Sequence, residues 1–481
     1  MGEDRNNPLT EQFLRPRNIR RAMGKRLRKV VPRSSHGQWS PAENRQNPLD
    51  LLKSQDEGRL AHLLPIKYGR MAASPFAFLR GSAVVMAADL ASTPEIGQDV
   101  ILCGDAHIAN FGLFASPERN LVFDINDFDE CYPGPWEWDL KRLAASIVVA
   151  ARQNGFGNEL TREQAKKAIE VYRWAMRRFS KMAALDLWYY HVGAKDVQKL
   201  FAEKASDRSR KEIRKTIARA VSRTQGRTLE KLTHIQDGQR HINYEPPLLV
   251  PIREFDYSDT LEAFGIKQEL DKKTIRALYK VWREYLDTLT IDRRLLLEHF
   301  SMRDIALRIG GVGSVGNRCF ILFLEGSGED EGLILQLKEI GSSVLEAYLP
   351  PLEHELKARR VVMGQRLIQA TSDPFLGYHR APISGHEYYW RQLKDMKGSI
   401  DVANLDRSGF ETYIALCAAC LARAHARTGD PAVIAGYLGK SDVFDQAIAE
   451  FATSYADQTE RDHAALLQAI KDGRIEAEGG I

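Results

Sequence analysis

Residues 101–130, ILCGDAHIANFGLFASPERNLVFDINDFDE, group an aspartate, a histidine, an asparagine and an acidic cluster within one short stretch. The turn-forming segment SPERN lies between two apolar runs, which predicts a strand, a turn and a second strand. Pairing outward from this turn places Asn110 opposite Asn126 or Asp127, beside Asp105. Magnesium takes oxygen ligands from one or two protein groups and leaves the rest to phosphate and water. Asn110 and Asp127 are therefore the predicted metal ligands of a phosphoryl-transfer site.

The spacing matches that of a protein-kinase catalytic loop, in which a base Asp precedes a metal-binding Asn by five residues and a second metal Asp follows in D-F-G. Asp105 precedes Asn110 by five residues, and Asp127 begins D-F-D. The segment GDAHIAN resembles more closely the G-D-x-H-x-x-N loop of the aminoglycoside and choline phosphotransferases. This resemblance implies that Asp105 is the catalytic base, and His107 is expected to orient the loop. Cys103 departs from the histidine of that branch, and the gap to the metal Asp is longer.

Three nearby residues have two possible roles each. Asp124 is a rival to Asp127 as metal ligand. Asp139, at the start of a predicted helix, resembles an Asp that anchors the catalytic loop in the phosphotransferase branch, or it serves only as an acidic residue in a first helical turn. Arg80 could bind phosphate through two N–H groups, or it could pair with a carboxylate such as Asp89.

A second group of candidate residues lies about two hundred residues later, where three short strands are predicted between 304 and 339. The run GGVGSVG at 310–316 separates the first two strands, and such a turn lets backbone amides approach phosphate. No helix follows the glycines, which excludes a dinucleotide fold, and no Gly-Lys-Ser/Thr ends the run, which excludes a P-loop. The predicted nucleotide-binding residues of this turn are Gly311, Gly313, Ser314 and Gly316.

In the kinase arrangement, the third strand carries a Lys that binds the nucleotide phosphates and pairs with a Glu of the following helix. Lys338 is in the position of that Lys. Glu346 is the first candidate for its partner, with Glu353 and Glu355 as alternatives. Glu346 could instead close a capping box, because it follows Ser343 by three residues.

The segment EYYWRQL at 387–393 is aromatic and β-prone, and residues 394–400 break it. This pattern resembles the last small-lobe strand of a kinase and the linker whose backbone meets adenine. Gln392 and Leu393 are therefore predicted to contact the nucleotide. The catalytic-type loop precedes the glycine-rich turn, which is the reverse of the kinase order. A circular permutation accounts for this order, since domain termini commonly lie close together.

The stretches GDAHIANFG, DINDFDE, GVGSVGNRCF, QLKEIGSSVLEAYL and ARAHARTGD, among others, resemble the bacterial family catalogued as domain of unknown function 2252. The fold expected from these resemblances is α+β and protein-kinase-like, with two lobes, a circular permutation and a helical insertion. Five parts are predicted: a basic arm at 1–60, the catalytic-loop part of the large lobe at 61–155, its helical part at 156–300, a nucleotide-binding small lobe at 301–400 and C-terminal helices of the large lobe at 401–481.

The chain has 481 residues, 44% of them hydrophobic, so it can bury a sizeable core. Its net charge of +4 makes no general case for nucleic-acid binding. Residues 15–33 are strongly basic without an acidic residue, which predicts a solvated or disordered arm, with binding of an anionic partner or of the nucleotide as the alternative.

Five scattered cysteines indicate a reducing cytoplasm, and no signal peptide or membrane-spanning run is predicted. Cys417 and Cys420 form C-x-x-C within an Ala-rich helical pattern, which favours packing over zinc binding.

Together, these patterns predict an ATP- and magnesium-dependent phosphotransferase for an unidentified hydroxyl-bearing acceptor, either a small molecule or a protein. A nucleotide-binding pseudokinase scaffold and a nucleotidyl transferase remain alternatives. A metallophosphatase, suggested by Asp105-x-His107, would need a G-N-H-D-type element and a downstream His cluster, and the sequence has neither. The sequence identifies neither the acceptor nor the oligomeric state.

Overall fold

The computed structural model describes residues 13–254, 272–311, 313, 315–328, 331–352, 356–382, 384–393 and 396–480, with only the backbone of 272–279. Helices account for 54% and strands for 15% of the structure, which confirms the predicted α+β class. None of the described helices has the length and apolar character needed to cross a membrane.

The helices are numbered here in chain order through the described residues. They are α1 Arg17–Leu27, α2 Pro48–Ser54, α3 Leu64–Ala72, α4 Pro75–Gly81, α5 Ala83–Leu90, α6 Trp136–Gln153, α7 Asn158–Phe179, α8 Ala184–Tyr189, α9 Ala194–Lys204, α10 Asp207–Ser222, α11 Gln225–Leu232, α12 Lys272–Asp287, α13 Ile291–Leu297, α14 Lys357–Ile368, α15 Arg407–Thr428, α16 Pro431–Leu438 and α17 Val443–Lys471.

The strands form four antiparallel sheets. They are β1 Asp99–Leu102, β2 Phe111–Ala115, β3 Leu121–Ile125, β4 Tyr132–Pro135, β5 Val192–Gly193, β6 Thr233–Gln236, β7 Gln239–Ile242, β8 Leu249–Pro251, β9 Ser301–Arg308, β10 Cys319–Glu325, β11 Gly332–Ile340, β12 Gly377–Arg380 and β13 Glu387–Gln392. The sheet orders are β1-β4, β2-β3-β5, β6-β7 and β12-β13-β11-β10-β9-β8.

Helix α6 lies at the centre of the larger hydrophobic core. Every residue from Trp136 to Ala151 is buried, including four charged ones. A helix that is buried on all sides must be surrounded by other elements, and α6 packs against α4, α7 and α17. Its charged side chains therefore need polar partners inside the core, and two of them, Asp139 and Arg142, serve the candidate site described below.

The six-stranded sheet has a separate core on the face away from the β2–β3 hairpin. Tyr285 of α12 stacks on Trp390 of β13 with ring centroids 4.2 Å apart. Strands β10 and β11 pair along their whole length, with Cys319 opposite Lys338 and Phe323 opposite Ile334. Because side chains alternate between the two faces of a strand, Lys338 points to the face opposite this core.

The basic N-terminal segment is not a solvated arm within the residues that the structure describes. Helix α1 packs on α16 so closely that a side chain at Gly24 would meet the carbonyl oxygen of Val433 at 1.9 Å. Arg20 forms an ion pair with Asp430 at 2.9 Å, and Arg33 donates to the carbonyl of Leu438 at 2.7 Å. The prediction failed because these partners, a carboxylate and a backbone carbonyl, lie more than 400 residues away in sequence.

Candidate active site

The hairpin β2–β3 has the predicted register. Phe111 pairs with Ile125, and the Asn126 N–H donates to the carbonyl of Asn110 at 2.8 Å. Gly104 has φ +81°, and a Cβ there would lie 2.0 Å from the carbonyl oxygen of Glu130. Glycine is therefore required where the Asp105 loop crosses the acidic segment.

Asp105 is held by a buried arginine of α6. Arg142 donates to its Oδ1 from Nε at 2.9 Å, and Nη2 lies 2.8 Å from the same oxygen. The Oδ2 atom lies 3.5 Å from Nε2 of His107, and the Asn110 side-chain amide donates to the Asp105 carbonyl at 2.8 Å. The structure thus brings together all three predicted loop residues and leaves Oδ2 less constrained than Oδ1.

His107 is buried beside Asp105. Burial lowers the pKa of its imidazole to about 4, with Arg80 and Arg142 acting in the same direction and Asp105 opposing them. The ring is therefore neutral at neutral pH. A neutral imidazole agrees better with a role in orienting the loop than with a role as a proton shuttle.

Asp139 anchors the loop from below, as one of its two predicted roles requires. Its carboxylate accepts from the N–H groups of Cys103 at 2.8 Å and Gly104 at 3.0 Å. His425 of α15 lies 3.3 Å from the same carboxylate. These bonds fix the backbone that carries Asp105.

Asp127 lines the cleft, whereas its rival Asp124 does not. Asp124 is buried and paired with Arg423, with both oxygens 2.6 Å from Nη2. Among the described residues, the carboxylate of Asp127 accepts only from the Asp129 N–H, at 3.3 Å. Burial alone would raise the pKa of Asp127, but three nearby cations lower it to about 2, and these cations are Lys338, Arg391 and Lys397. Asp127 is therefore ionised and free to bind a cation.

Lys338 pairs with Asp129 of the D-F-D motif and not with the predicted Glu346. The Tyr389 hydroxyl donates to the other oxygen of Asp129 at 2.9 Å. Burial opposes the charge of Lys338, but Asp129 and Tyr389 raise its pKa above the ordinary value, so the amine is protonated.

Glu346 closes the capping box that was its alternative role. Its carboxylate accepts from the Ser343 N–H at 3.0 Å and lies 3.8 Å from Arg360 Nε. It does not line the cleft. The other two candidates, Glu353 and Glu355, lie outside the described residues.

Gly311 and Gly313 of the glycine-rich turn line the cleft, but Gly316 does not. Gly316 faces Arg59, whose Cβ would lie 3.0 Å from an added side chain. Ser314 lies outside the described residues. Arg59 donates to the Gly313 carbonyl at 3.1 Å, and this contact ties the turn to the N-terminal third of the chain.

Gln392 and Leu393 also line the cleft. Their backbone N–H groups, however, are already engaged: Gln392 donates to Asp373 Oδ2 at 2.6 Å, and Leu393 donates to the carbonyl of Ile334 at 2.9 Å. These two N–H groups thus have partners within the chain, and contact of Gln392 and Leu393 with a nucleotide stays a prediction.

These elements enclose a single cleft of about 990 Å³. It joins the Asp105 loop and the D-F-D motif to the glycine-rich turn and Lys338. Basic residues outnumber acidic ones in its lining. The basic residues are Arg70, Arg80, Arg119, Arg223, Lys231, Arg293, Arg308, Lys338, Arg391 and Lys397, and the acidic residues are Asp105, Asp127, Asp129, Glu130, Glu245 and Asp373. Such a lining suits an anionic ligand.

Arg80 lies in this cleft, and Asp89 pairs with Arg45 at 2.7 Å instead of with Arg80. The Nε of Arg80 is buried without a hydrogen-bond partner among the described residues. The alternative role of Arg80, an ion pair with Asp89, is therefore not formed. Its guanidinium is positioned to bind an anion in the cleft.

Sequence reasoning missed Arg142, Arg391 and Lys397. Lys397 is brought to the cleft because Gly398 forms two backbone hydrogen bonds with Leu113 of β2, at 2.7 and 2.8 Å. The position of Arg391 could have been predicted from the alternation of EYYWRQL, because Arg391 and Tyr389 lie on the same face of the strand. Nothing local to Arg142 indicated that it reaches Asp105.

A family model described as "Uncharacterized protein conserved in bacteria (DUF2252)" matches residues 59–469. No curated protein matches the chain, and no solved structure matches it. Any activity must therefore be argued from the geometry of the cleft.

Proposed function

The chain belongs to the DUF2252 family, and we propose that it is an ATP- and magnesium-dependent phosphotransferase with a circularly permuted, protein-kinase-like fold. The observation that carries the proposal is the assembly of one cleft from two distant parts of the chain. Asp105, Asn110 and Asp127 lie on one side, with Lys338 and the glycine-rich turn on the other.

The order of elements around the sheet supports the kinase-like arrangement. Strand β9, the glycine-rich turn, β10 and the Lys-bearing β11 are followed by helix α14 and by β12 and β13, as expected for a small lobe. One difference concerns the Lys partner. Helix α14, KARRVVMGQRLI, has no acidic residue. Asp129 forms the ion pair with Lys338 in place of a helix Glu.

The donor atoms at the cleft fit magnesium. Among the described residues there is no group of three or more His, Cys, Asp and Glu side chains that could hold a metal, so a closed all-protein site is not formed there. Magnesium instead uses one or two protein oxygens together with phosphate and water. Asp127 supplies an ionised carboxylate and Asn110 an amide oxygen. When bound there, the ion would neutralise phosphate charge.

The side chains can perform the remaining steps. Asp105 accepts the proton of the acceptor hydroxyl at Oδ2, while Arg142 holds Oδ1. The hydroxyl oxygen forms a bond to the γ-phosphorus as the bond from that phosphorus to the β–γ bridging oxygen breaks, and ADP leaves with the electron pair. Lys338 and Arg80 contribute positive charge to the phosphates. Catalysis of this kind depends mainly on positioning and charge neutralisation.

One observation favours a second candidate, a pseudokinase scaffold. The contacts from Arg142 to Oδ1 already engage one of the two Asp105 carboxylate oxygens, which leaves only Oδ2 to accept a proton. A protein that binds nucleotide without turnover would retain the cleft and the Lys338–Asp129 pair. Measurement of turnover separates the two candidates.

The first test is a thermal-shift series with ATP, with and without magnesium, on the parent and on Asp127→Asn. Ligand at a hundred times Kd stabilises the native state by about 2.7 kcal/mol, so ATP with magnesium should raise the Tm of the parent and much less that of the variant. Glu118→Gln is the matched control, because it removes a carboxylate at the exposed hairpin turn, outside the cleft. If ATP with magnesium leaves the parent's Tm unchanged, the proposal fails.

A second experiment uses ATP labelled at either the α or the γ phosphate, with a panel of hydroxyl-bearing acceptors. Transfer of γ label supports the phosphotransferase, and transfer of α label indicates a nucleotidyl transferase. Binding that persists while neither label is transferred or released favours the pseudokinase.

A further inference from the structure

The sheet face above the cleft has two halves of different chemistry. Near the D-F-D motif, Cys319 lies opposite Lys338, and Gln336 lies opposite Arg391. Arg391 Nε donates to Gln336 Oε1 at 2.9 Å. This half of the face is polar and cationic.

The other half of the same face is apolar, and the chain itself covers it. Leu229 and Leu232 of α11 are buried in one cluster with residues of that face, namely Ile321, Phe323, Ile334 and Leu393. Leu229 approaches β11 so closely that a Cβ on Gly332 would lie 2.8 Å from its methyl carbon. Helix α11 therefore covers this apolar half of the face, and of its two leucines Leu232 also lines the cleft.

The linker after β13 also has few free donors for a base. Besides the N–H groups of Gln392 and Leu393, two further N–H groups of this linker are engaged. The Met396 N–H donates to the Arg223 carbonyl at 2.9 Å, and the Gly398 N–H donates to the Leu113 carbonyl at 2.8 Å. Residues 394 and 395 lie outside the described part of the chain. A base would thus have to compete with existing backbone hydrogen bonds.

The groups left facing the cleft suit phosphate. Lys338, Arg391, Arg308 and Arg80 line it together with Gly311 and Gly313 of the glycine-rich turn. The aromatic residues of the lining are Phe114 and Phe375, with no Trp or Tyr among the described lining residues. The described lining also holds aliphatic side chains, among them Leu232, Leu249 and Ile309, so the donor site offers positive charge but little aromatic surface on which a base could stack.

We propose that this site recognises its phosphoryl donor through the magnesium-bound triphosphate and barely distinguishes the base attached to it. The inference deepens the proposed function and rests on it. The ligand class is a triphosphate, whether it is carried on a nucleoside or free as inorganic tripolyphosphate.

The test is isothermal titration of the full parent chain with magnesium complexes of ATP, GTP and inorganic tripolyphosphate, and with adenosine alone. We expect the three Kd values to agree within about tenfold, equal to about 1.4 kcal/mol, and adenosine not to bind. A Kd for ATP more than tenfold below that of GTP or tripolyphosphate, or binding of adenosine alone, would overturn the inference and leave the phosphotransferase proposal intact. Failure of all three triphosphates to bind would overturn both.

A variant locates the binding. Lys338→Met should weaken all three triphosphates by a similar factor, because it removes a charge that contacts phosphate and not the base. Lys215→Met, on the exposed face of α10 and outside the cleft, is the matched control and should change none of the three affinities. If Lys338→Met weakened only the nucleoside triphosphates, recognition by triphosphate alone would be disproved. The titration of the parent decides the inference should Lys338→Met fail to fold.

Discussion

The two sides of the cleft are positioned in different ways. On the hairpin side, Asp105, Asn110 and Asp127 lie within one short stretch, and strand pairing next to the turn sets their positions. On the sheet side, distant residues hold each group: Asp129 binds Lys338 from 209 positions away, and Arg59 binds the glycine-rich turn from 254 positions away. The first arrangement follows from the pairing of two neighbouring strands, whereas the second depends on contacts between residues far apart in the sequence.

The two sides also carry opposite charge. The hairpin side contributes Asp105, Asp127 and Asp129, and the sheet side contributes Lys338 and Arg391. Apart from each other, Asp129 and Lys338 would each be a charge removed from water without its ion-pair partner, which is costly. The Asp129–Lys338 pair therefore joins the two sides energetically as well as geometrically.

The largest expected effect comes from breaking that pair. Asp129→Asn should lower the free energy of unfolding by about 3–5 kcal/mol, since it leaves the buried Lys338 ammonium without its partner. Denaturant unfolding monitored by circular dichroism measures the change. Lys338→Met combined with Asp129→Leu removes both charges and should recover part of the loss. A cost below about 1 kcal/mol for Asp129→Asn would show that the pair does not join the two sides.

Asp127→Asn should act mainly on activity. Turnover should fall by about 100- to 1,000-fold, the loss typical when one electrostatic contact to the reacting group is removed. The Tm without ligand should fall less than that of Asp129→Asn, because the substitution removes the attraction of Asp127 to three nearby cations but breaks no ion pair among the described residues. Steady-state kinetics with γ-labelled ATP give the rate, and Glu118→Gln should retain parental turnover. Equal turnover for parent and Asp127→Asn would exclude Asp127 as a metal ligand.

A pH titration compares one buried histidine from each side. Burial lowers the pKa of His107 and of His379 to about 4, and Trp390 Nε1 donates to Nδ1 of His379 at 2.6 Å. The unfolded chain binds these protons near pH 6.5 and the native state only near pH 4, so stability is present above pH 6.5 and falls as pH drops from 6.5 to 4. Each ring should contribute up to about 3 kcal/mol of this loss.

Unfolding experiments between pH 4 and 7 on the parent and on His379→Gln measure this contribution. The slope against pH should be smaller in the variant. NMR signals that show either imidazole protonated at pH 6 in the native state would contradict the prediction.

The smallest effect is expected at Glu346. Glu346→Gln should cost no more than about 1 kcal/mol, the usual value of a helix cap, and it should leave ATP affinity unchanged because the side chain lies outside the cleft. Binding of ATP measured by titration, beside the same measurement on Asp129→Asn, separates the capping role from a role in binding the Lys. Weaker ATP binding by Glu346→Gln would restore Glu346 as a partner of Lys338.

Sequence reasoning succeeded where a residue's position depends on its near neighbours. The pairing of Asn110 with Asn126 follows from the turn between β2 and β3, and the capping box of Ser343 and Glu346 follows from their spacing. It failed where the partner is remote, as for Lys338 and for the basic helix α1. Contact with Asp129 or Asp430 depends on how the elements pack, which no local pattern records.

The amino-acid sequence by itself determined the family, the β2–β3 hairpin and the residue types that surround the cleft. It did so because turn formation and strand alternation are local properties of the chain. Only the tertiary structure decided that Asp129 binds Lys338, that Arg142 holds Asp105 and that α11 covers the apolar half of the sheet. These outcomes depend on long-range packing and on the need of every buried charge for a partner.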